Sequence, residues 1–386
     1  MNKAIYIYAA AALTLASCSS DEVIHQAERA DTISFRGVVG LNTRAVDMTQ
    51  EKLENEGMYV TTFAEDGSLV YAETLYTLQE SVWKATPPQS WGAHSKLSFF
   101  LTHPKPSDWA TGFQLTADNK TQAHEITIDE EIATQKDYVV CYLEDKQKNA
   151  TNGTLNQATL KHVLSSVEIW AKNTNDAFRY EVKGIRLNGV NEKAKVNFST
   201  ESAAPNEATT TRSYELTYDQ AIPLGGRDQS LMGAAKHAIL APQPTDATWA
   251  AGWGGETPAD AKSTYISVLV NITSKYGAQV YPAGGGFGWV AIAVPYAWKS
   301  GEKYVYTLDF SDGAGRVDPK PGDAVHPGAG DPALGQPILG KRVKFGIAVA
   351  QWNDGGNTDV TLDDNKIKFT VGVDAWGDEE KDAEIN

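Results

Sequence analysis

The stretch TYISVLVNIT, residues 264–273, places Thr264, Ile266, Val268, Val270 and Ile272 on one side of an extended chain. That two-residue period belongs to a half-buried strand. LSFFLTHP (97–104), YVVCYLE (138–144), SSVEIWA (165–171), WVAIAVP (289–295) and KYVYTLDF (303–310) are equally short, rich in branched and aromatic residues, and bounded by Gly, Pro, Asn or Asp. Many short strands separated by polar turns predict an all-β fold of sandwich type. Helical spacing shows only near 47–56, where Asp47 can cap a turn around Leu53. The polar stretches 145–158 and 199–213 read as loops. Five of the sixteen prolines lie between 319 and 337 and predict an extended, helix-free surface loop.

One repeat stands out. VKFGIAVAQWNDG (343–355) and IKFTVGVDAWGDE (367–379) align at an offset of 24, sharing Lys344/Lys368, Phe345/Phe369, Val349/Val373, Trp352/Trp376 and Asp354/Asp378. One strand is too short a unit for a solenoid. The second copy alternates Ile367, Phe369, Val371 and Val373 with Lys368 and Thr370. Such a strand can either pair beside its copy in one C-terminal sheet or fill an unpaired sheet edge elsewhere by β-augmentation.

The N-terminus bears on location. Lys3 precedes an apolar run, Ala4 to Leu15, that is shorter than the roughly 20 residues of a spanning helix. Leu15-Ala16-Ser17 before Cys18 resembles a bacterial lipobox, so residues 1–17 read as a lipoprotein signal peptide and Cys18 as the lipidated first residue. Residues 18–30, opening with Ser19-Ser20-Asp21-Glu22, read as an acidic tether. Anchorage in an outer membrane and surface exposure follow as expectations.

Composition removes several function classes. The net charge of −15 repels a phosphate backbone, so nucleic acid is not an expected partner. With Cys18 acylated, Cys141 stands alone inside a β-rich run and reads as a small buried hydrophobe. The seven histidines show no ligand spacing and no paired cysteines exist, so no metal or other cofactor is expected. GQPILGKR (335–342) lacks the Ser or Thr of a phosphate loop, and GGGFG (284–288) reads as a hairpin turn rather than a dinucleotide site. Asp312, Asp318, Asp323 and Asp331 share one loop region that reads as solvated, with weak calcium binding as the alternative. Glu130-Glu131 reads as surface charge, with an acid/base pair as the alternative, and no catalytic residue is assigned. Trp249, Trp253, Trp289 and Trp298 fall at loop or strand-end positions where they could stack on sugars.

Several stretches together resemble the fimbrillin family, the pilin-like lipoproteins of Gram-negative anaerobes. They are TISFRGVVGLNTRA (32–45), KLSFFLTHP (96–104), ATLKHVLSSVEI (158–169) with His162, AILAPQ (238–243) and SGEKYVYTLDF (300–310). Glu302 between Gly301 and Lys303 departs from the family pattern, as does the doubled C-terminal Trp strand. The resemblance implies two tandem transthyretin-like β-sandwich domains, here 31–175 and 176–386. It implies a non-catalytic pilus subunit whose first strand is removed by an arginine-specific protease, between Arg44 and Ala45 with Arg29 and Arg36 as competing sites, and which assembles with other pilus subunits by strand exchange. Ile367, Phe369, Val371 and Val373 would then form the donor row. A host or bacterial surface receptor is left open as a further partner. Alternative readings are a surface glycan-binding lipoprotein of a polysaccharide-uptake system and a hydrolase accessory domain.

Overall fold

The computed structural model describes residues 31–39, 49–109, 116, 124–148, 154–205, 211–243, 264–294, 296–320, 322, 326–339, 343–351 and 368–373. The named secondary-structure elements of the described chain are β-strands apart from one seven-residue helix and three short 3-10 turns. Cys18, Arg44, Ala45 and Ile367 lie outside these residues, as do Trp249 and Trp253.

Seven N-terminal strands close into a barrel. They are β1 (Ile33–Val39), β2 (Met58–Ala64), β3 (Leu69–Gln79), β4 (Val82–Ala85), β5 (Lys96–His103), β7 (Val139–Gln147) and β8 (Thr154–His162), hydrogen-bonded in the order β1-β4-β3-β2-β5-β7-β8. Ile33, Phe35, Val60, Trp83, Leu97, Phe99, Leu101 and Leu160 fill its interior, all with zero exposure. The helix α1 (Gln50–Glu56) precedes β2 and buries Leu53. Thr49 caps it through a 2.9 Å bond from Lys52 N–H, so the helix starts two residues later than a cap at Asp47 would place it. Thr at this position satisfies an otherwise orphaned amide.

A three-stranded sheet, β12 (Ser202–Pro205)–β11 (Lys193–Asn197)–β6 (His124–Thr127), joins the barrel to the rest. Phe198, just after β11, stacks on Trp109 at 5.9 Å and meets Phe100 of the barrel edge-on at 5.1 Å. The remaining strands form two six-stranded sheets. The first runs β13 (Thr211–Pro223), β10 (Phe178–Asn191), β16 (Tyr265–Ser274), β18 (Gly288–Ile292) and β20 (Arg316–Val317), with β17 (Gln279–Tyr281) beside β16. The second runs β14 (Gln229–Ser230), β9 (Ser165–Lys172), β19 (Glu302–Asp309), β21 (Lys344–Gln351) and β22 (Lys368–Val373), with β15 (Ala238–Leu240) beside β9. Ile266, Val268, Val270 and Ile272 of β16 share one core with Val167 and Ile169 of β9 and Tyr306 and Leu308 of β19. The same core takes in Phe63, Phe100 and Val140 of the barrel, so the apolar interior is continuous across both units.

Both polar stretches expected as loops are partly strand. β7 runs to Gln147 and β8 starts at Thr154, while β12 and β13 take up 202–205 and 211–223. Cross-strand partners override weak local propensity there. β9, grouped by sequence with residues 31–175, pairs with β19 in the second large sheet, and β6 pairs with β11.

Candidate functional site

β1 occupies a gap between two barrel strands. It pairs parallel with β8 at seven consecutive positions, from Ile33↔Thr154 to Val39↔Leu160, and antiparallel with β4 at Ser34↔Lys84 and Phe35↔Trp83. Without β1 the ladder would be open between β4 and β8. Ile33 and Phe35 point inward with zero exposure, whereas Arg36 is exposed. The Phe35 ring meets Tyr76 and Phe99 edge-on, each at 5.2 Å. Burying Ile33 and Phe35 contributes about 1.5–3 kcal/mol each. Backbone bonds Ile33 N–H to Gln89 O (2.9 Å) and Trp91 N–H to Asp31 O (2.8 Å) tie down the start of the strand. Asn156, buried in β8, donates its side-chain amide to Ser34 O at 3.3 Å.

Two polar groups beside this strand are left unsatisfied. The buried Tyr76 hydroxyl and Trp91 indole N–H have no hydrogen-bond partner among the described residues. Burial pushes the Tyr76 phenol well above its ordinary value. Unsatisfied buried groups of this kind cost about 1–3 kcal/mol each.

The repeated C-terminal strand lies at the opposite kind of place, a sheet edge. β22 pairs antiparallel with β21, with Lys368↔Val349, Phe369↔Ala348, Thr370↔Ile347, Val371↔Gly346, Gly372↔Phe345 and Val373↔Lys344. The two copies thus pair as neighbours in this chain. Val343 and Phe345 of the neighbouring segment are buried in the core. β22 is thus held by its backbone to β21 alone among the described strands.

The other candidates resolve as packing. His162 is 4% exposed, with Nδ1 2.8 Å from Asp137 Oδ2, a buried pair at the end of β8. Trp289 and Trp298 are buried; Trp289 lies beneath the Arg186 guanidinium at 4.0 Å, and Trp298 donates to Tyr306 Oη at 2.8 Å. Neither presents a face for a sugar. Asp318 is fully buried rather than solvated, accepting from Lys320 N–H at 2.8 Å and lying 3.7 Å from Arg186. The ion pair and the Asx turn hold the Pro-rich segment onto the first large sheet. Glu130 pairs loosely with Arg212 at 3.5 Å. No cluster of three metal-ligating side chains occurs among the described residues, and no described helix is long and apolar enough to cross a membrane. Cys141 is 2% exposed, and desolvation pushes its thiol up to about 12. The native protein should leave Cys141 unmodified by a thiol reagent at pH 8, and unfolding in guanidinium should make it titrate fully. Stoichiometric labelling of the native chain at 141 would contradict this burial.

The family resemblance implies a groove left by removal of the first strand, and the sequence of β1 carries a matching pattern. Ile33-Ser-Phe35 and the later Val39 repeat the apolar spacing of Val343, Phe345, Val349 and of Ile367, Phe369, Val373.

A sequence profile of a family described as fimbrillin-like matches residues 43–321. No curated protein matches the chain. Solved structures that the chain matches include a protein described as a cell adhesion protein from Parabacteroides distasonis ATCC 8503, at 12% identity and a TM-score of 0.49, covering 85% of this chain and 99% of that one. A second such protein, from Bacteroides uniformis ATCC 8492, is 15% identical with a TM-score of 0.38, covering 72% and 94%. The tip fimbrial protein Mfa3 from Porphyromonas gingivalis, truncated at its C-terminus, is 14% identical with a TM-score of 0.38, covering 72% and 95%.

Proposed function

The chain belongs to the fimbrillin-like family, and from that membership we propose that it is a non-catalytic pilus subunit or pilus-associated surface lipoprotein. On this reading Cys18 carries the lipid that holds the newly exported chain in the outer membrane. A cut after Arg44 then frees the segment containing β1, and the C-terminal strand of a neighbouring subunit fills the vacated gap. The observation that carries the reading is β1 itself. It is one strand, lying before Arg44 in the chain, that closes the barrel between β4 and β8. An opened barrel exposes unpaired amides and carbonyls, and a donated strand satisfies them. The place of β22 adds support, because among the described strands it pairs with β21 alone, at the end of its sheet.

Surface fibres sheared from cells test the reading. Electron microscopy with mass spectrometry should find this chain in them, and N-terminal sequencing should begin at Ala45. Fibre-borne chains that start at Cys18 would refute processing. A Cys18→Ala variant should leave the outer-membrane fraction, since the acyl chains supply the anchorage. Unchanged retention there would refute lipidation.

A further inference from the structure

We propose that the outer face of the second large sheet carries a binding site for an uncharged glycan, with Trp170 as its platform. The site goes beyond the assembly reading above and does not depend on it. Trp83, Trp91, Trp109, Trp170, Trp289 and Trp298 lie among the described residues, and all but Trp170 are buried. Alternation along β9 explains the exception. Val167, Ile169 and Ala171 enter the core with zero exposure, so Glu168, Trp170 and Lys172 stand on the opposite face. The ring is held in place there. Its indole N–H donates to Glu168 Oε2 at 2.9 Å, and Lys303 Nζ lies 2.5 Å from Glu168 Oε1. A ring fixed beforehand gives up little side-chain freedom on binding.

The surroundings give the site its chemistry. Register sets Ser230 of β14 on one side of Trp170, Thr307 of β19 on the other, and Gly346 of β21 beyond Thr307. A Cβ built at Gly346 meets no atom within 4 Å, so the row is open at that end. The next row brings Lys172, with Asp228 at 3.5 Å and Asp309 at 3.9 Å, the three side chains being 30%, 51% and 28% exposed. An apolar ring between hydroxyls and exposed charged groups matches a pyranose, whose C–H face stacks while its hydroxyls hydrogen-bond at the rim. Lys172 and Lys303 each stand beside a carboxylate, so neither is left to attract an anion, and the ligand that fits is an uncharged sugar. Beyond Thr307 the face is floored by the small residues Gly346 and Ala348, not by the clustered aromatic anchors of a protein–protein hot spot.

The indole N–H resonances report the site directly. The full chain, isotopically labelled at tryptophan nitrogen, is titrated with cellohexaose, laminarihexaose and mannohexaose, and with hexagalacturonate as the anionic control. The Trp170 resonance is identified by its loss in Trp170→Phe. At least one neutral probe should shift that resonance saturably, more strongly than hexagalacturonate does. Trp170→Ala should weaken binding of the same probe by at least about tenfold, the worth of one stacking ring. Trp170→Phe, which keeps a ring, should retain part of the affinity. No shift with any neutral probe, a shift confined to another tryptophan, or a stronger response to hexagalacturonate would each overturn the proposal. So would undiminished sugar binding by Trp170→Ala, and if that variant also sediments differently the face is a protein–protein contact instead. Should Trp170→Ala fail to fold, the resonance that shifts in the unsubstituted chain decides the matter.

Discussion

A chain carrying Phe369→Asp is expected to melt as the unsubstituted monomer does and to form no fibres. The two halves of this expectation have separate physical grounds. In the monomer, position 369 is the register partner of Ala348 on a strand that ends its sheet among the described residues. Surface changes at an edge strand of this kind fall within about 0.5 kcal/mol. In the proposed assembled state the same carboxylate would enter the apolar gap that Ile33 and Phe35 fill here. The loss of a buried phenyl, about 1.5–3 kcal/mol, adds to the larger penalty of an unpaired buried charge. Together these lower the association constant by at least about a hundredfold. Calorimetry of the monomer and electron microscopy of the cut chain measure the two halves. An unfolded variant would show that β22 is an internal strand, and normal fibres would remove Phe369 from the interface.

The second large effect comes from holding β22 where it lies. Val371 opposes Gly346, and a Cβ built at Gly346 meets no atom within 4 Å. A Gly346→Cys, Val371→Cys pair should therefore oxidise to an intramolecular disulfide in the uncut monomer. The locked chain, once cut, should stay monomeric, and reduction should restore fibres. Directly opposed positions meet the spacing a disulfide needs. Ile347→Cys with Val371→Cys provides the control, because those positions lie on opposite faces and should not link. Fibres from the locked chain would show that β22 has no part in assembly. A link in the control would show that the register differs by one residue.

Much of the fold was legible because its strands announce themselves. Residues 264–273 alternate as β16 requires, and Ile266, Val268, Val270 and Ile272 are fully buried. The GGGFG stretch turns between β17 and β18 as its glycines suggest. Periodicity failed where burial comes from tertiary partners. Asp318 reads as a solvated loop residue, yet Tyr265 and Arg186, far away in sequence, take it inside. Trp289 reads as a strand-end platform, yet Arg186 covers it. The site was legible in one half. The doubled C-terminal strand is visible as a repeat and β1 shows the same apolar spacing, but the pairing of β1 with β8, more than a hundred residues away, leaves no local mark. Nor does composition reveal which face of β22 turns inward, since a one-residue shift reverses it without changing a letter.

The continuous core also has a mechanical meaning. A tandem of domains on a soft linker yields first at the linker when pulled. Here Phe63, Phe100 and Val140 of the barrel share one apolar interior with the two large sheets, and Phe198 is wedged against Trp109 at the seam. Close-packed interiors are stiff and transmit strain. Tension arriving at the barrel therefore passes to the second unit without a compliant hinge. A strand held along seven consecutive rungs and pulled along its own axis loads those rungs together, in shear. β22, lifted sideways from the edge of β21, gives up its rungs one at a time. On the proposed exchange, a strand in the β1 gap would be loaded in shear while β22 would leave β21 rung by rung.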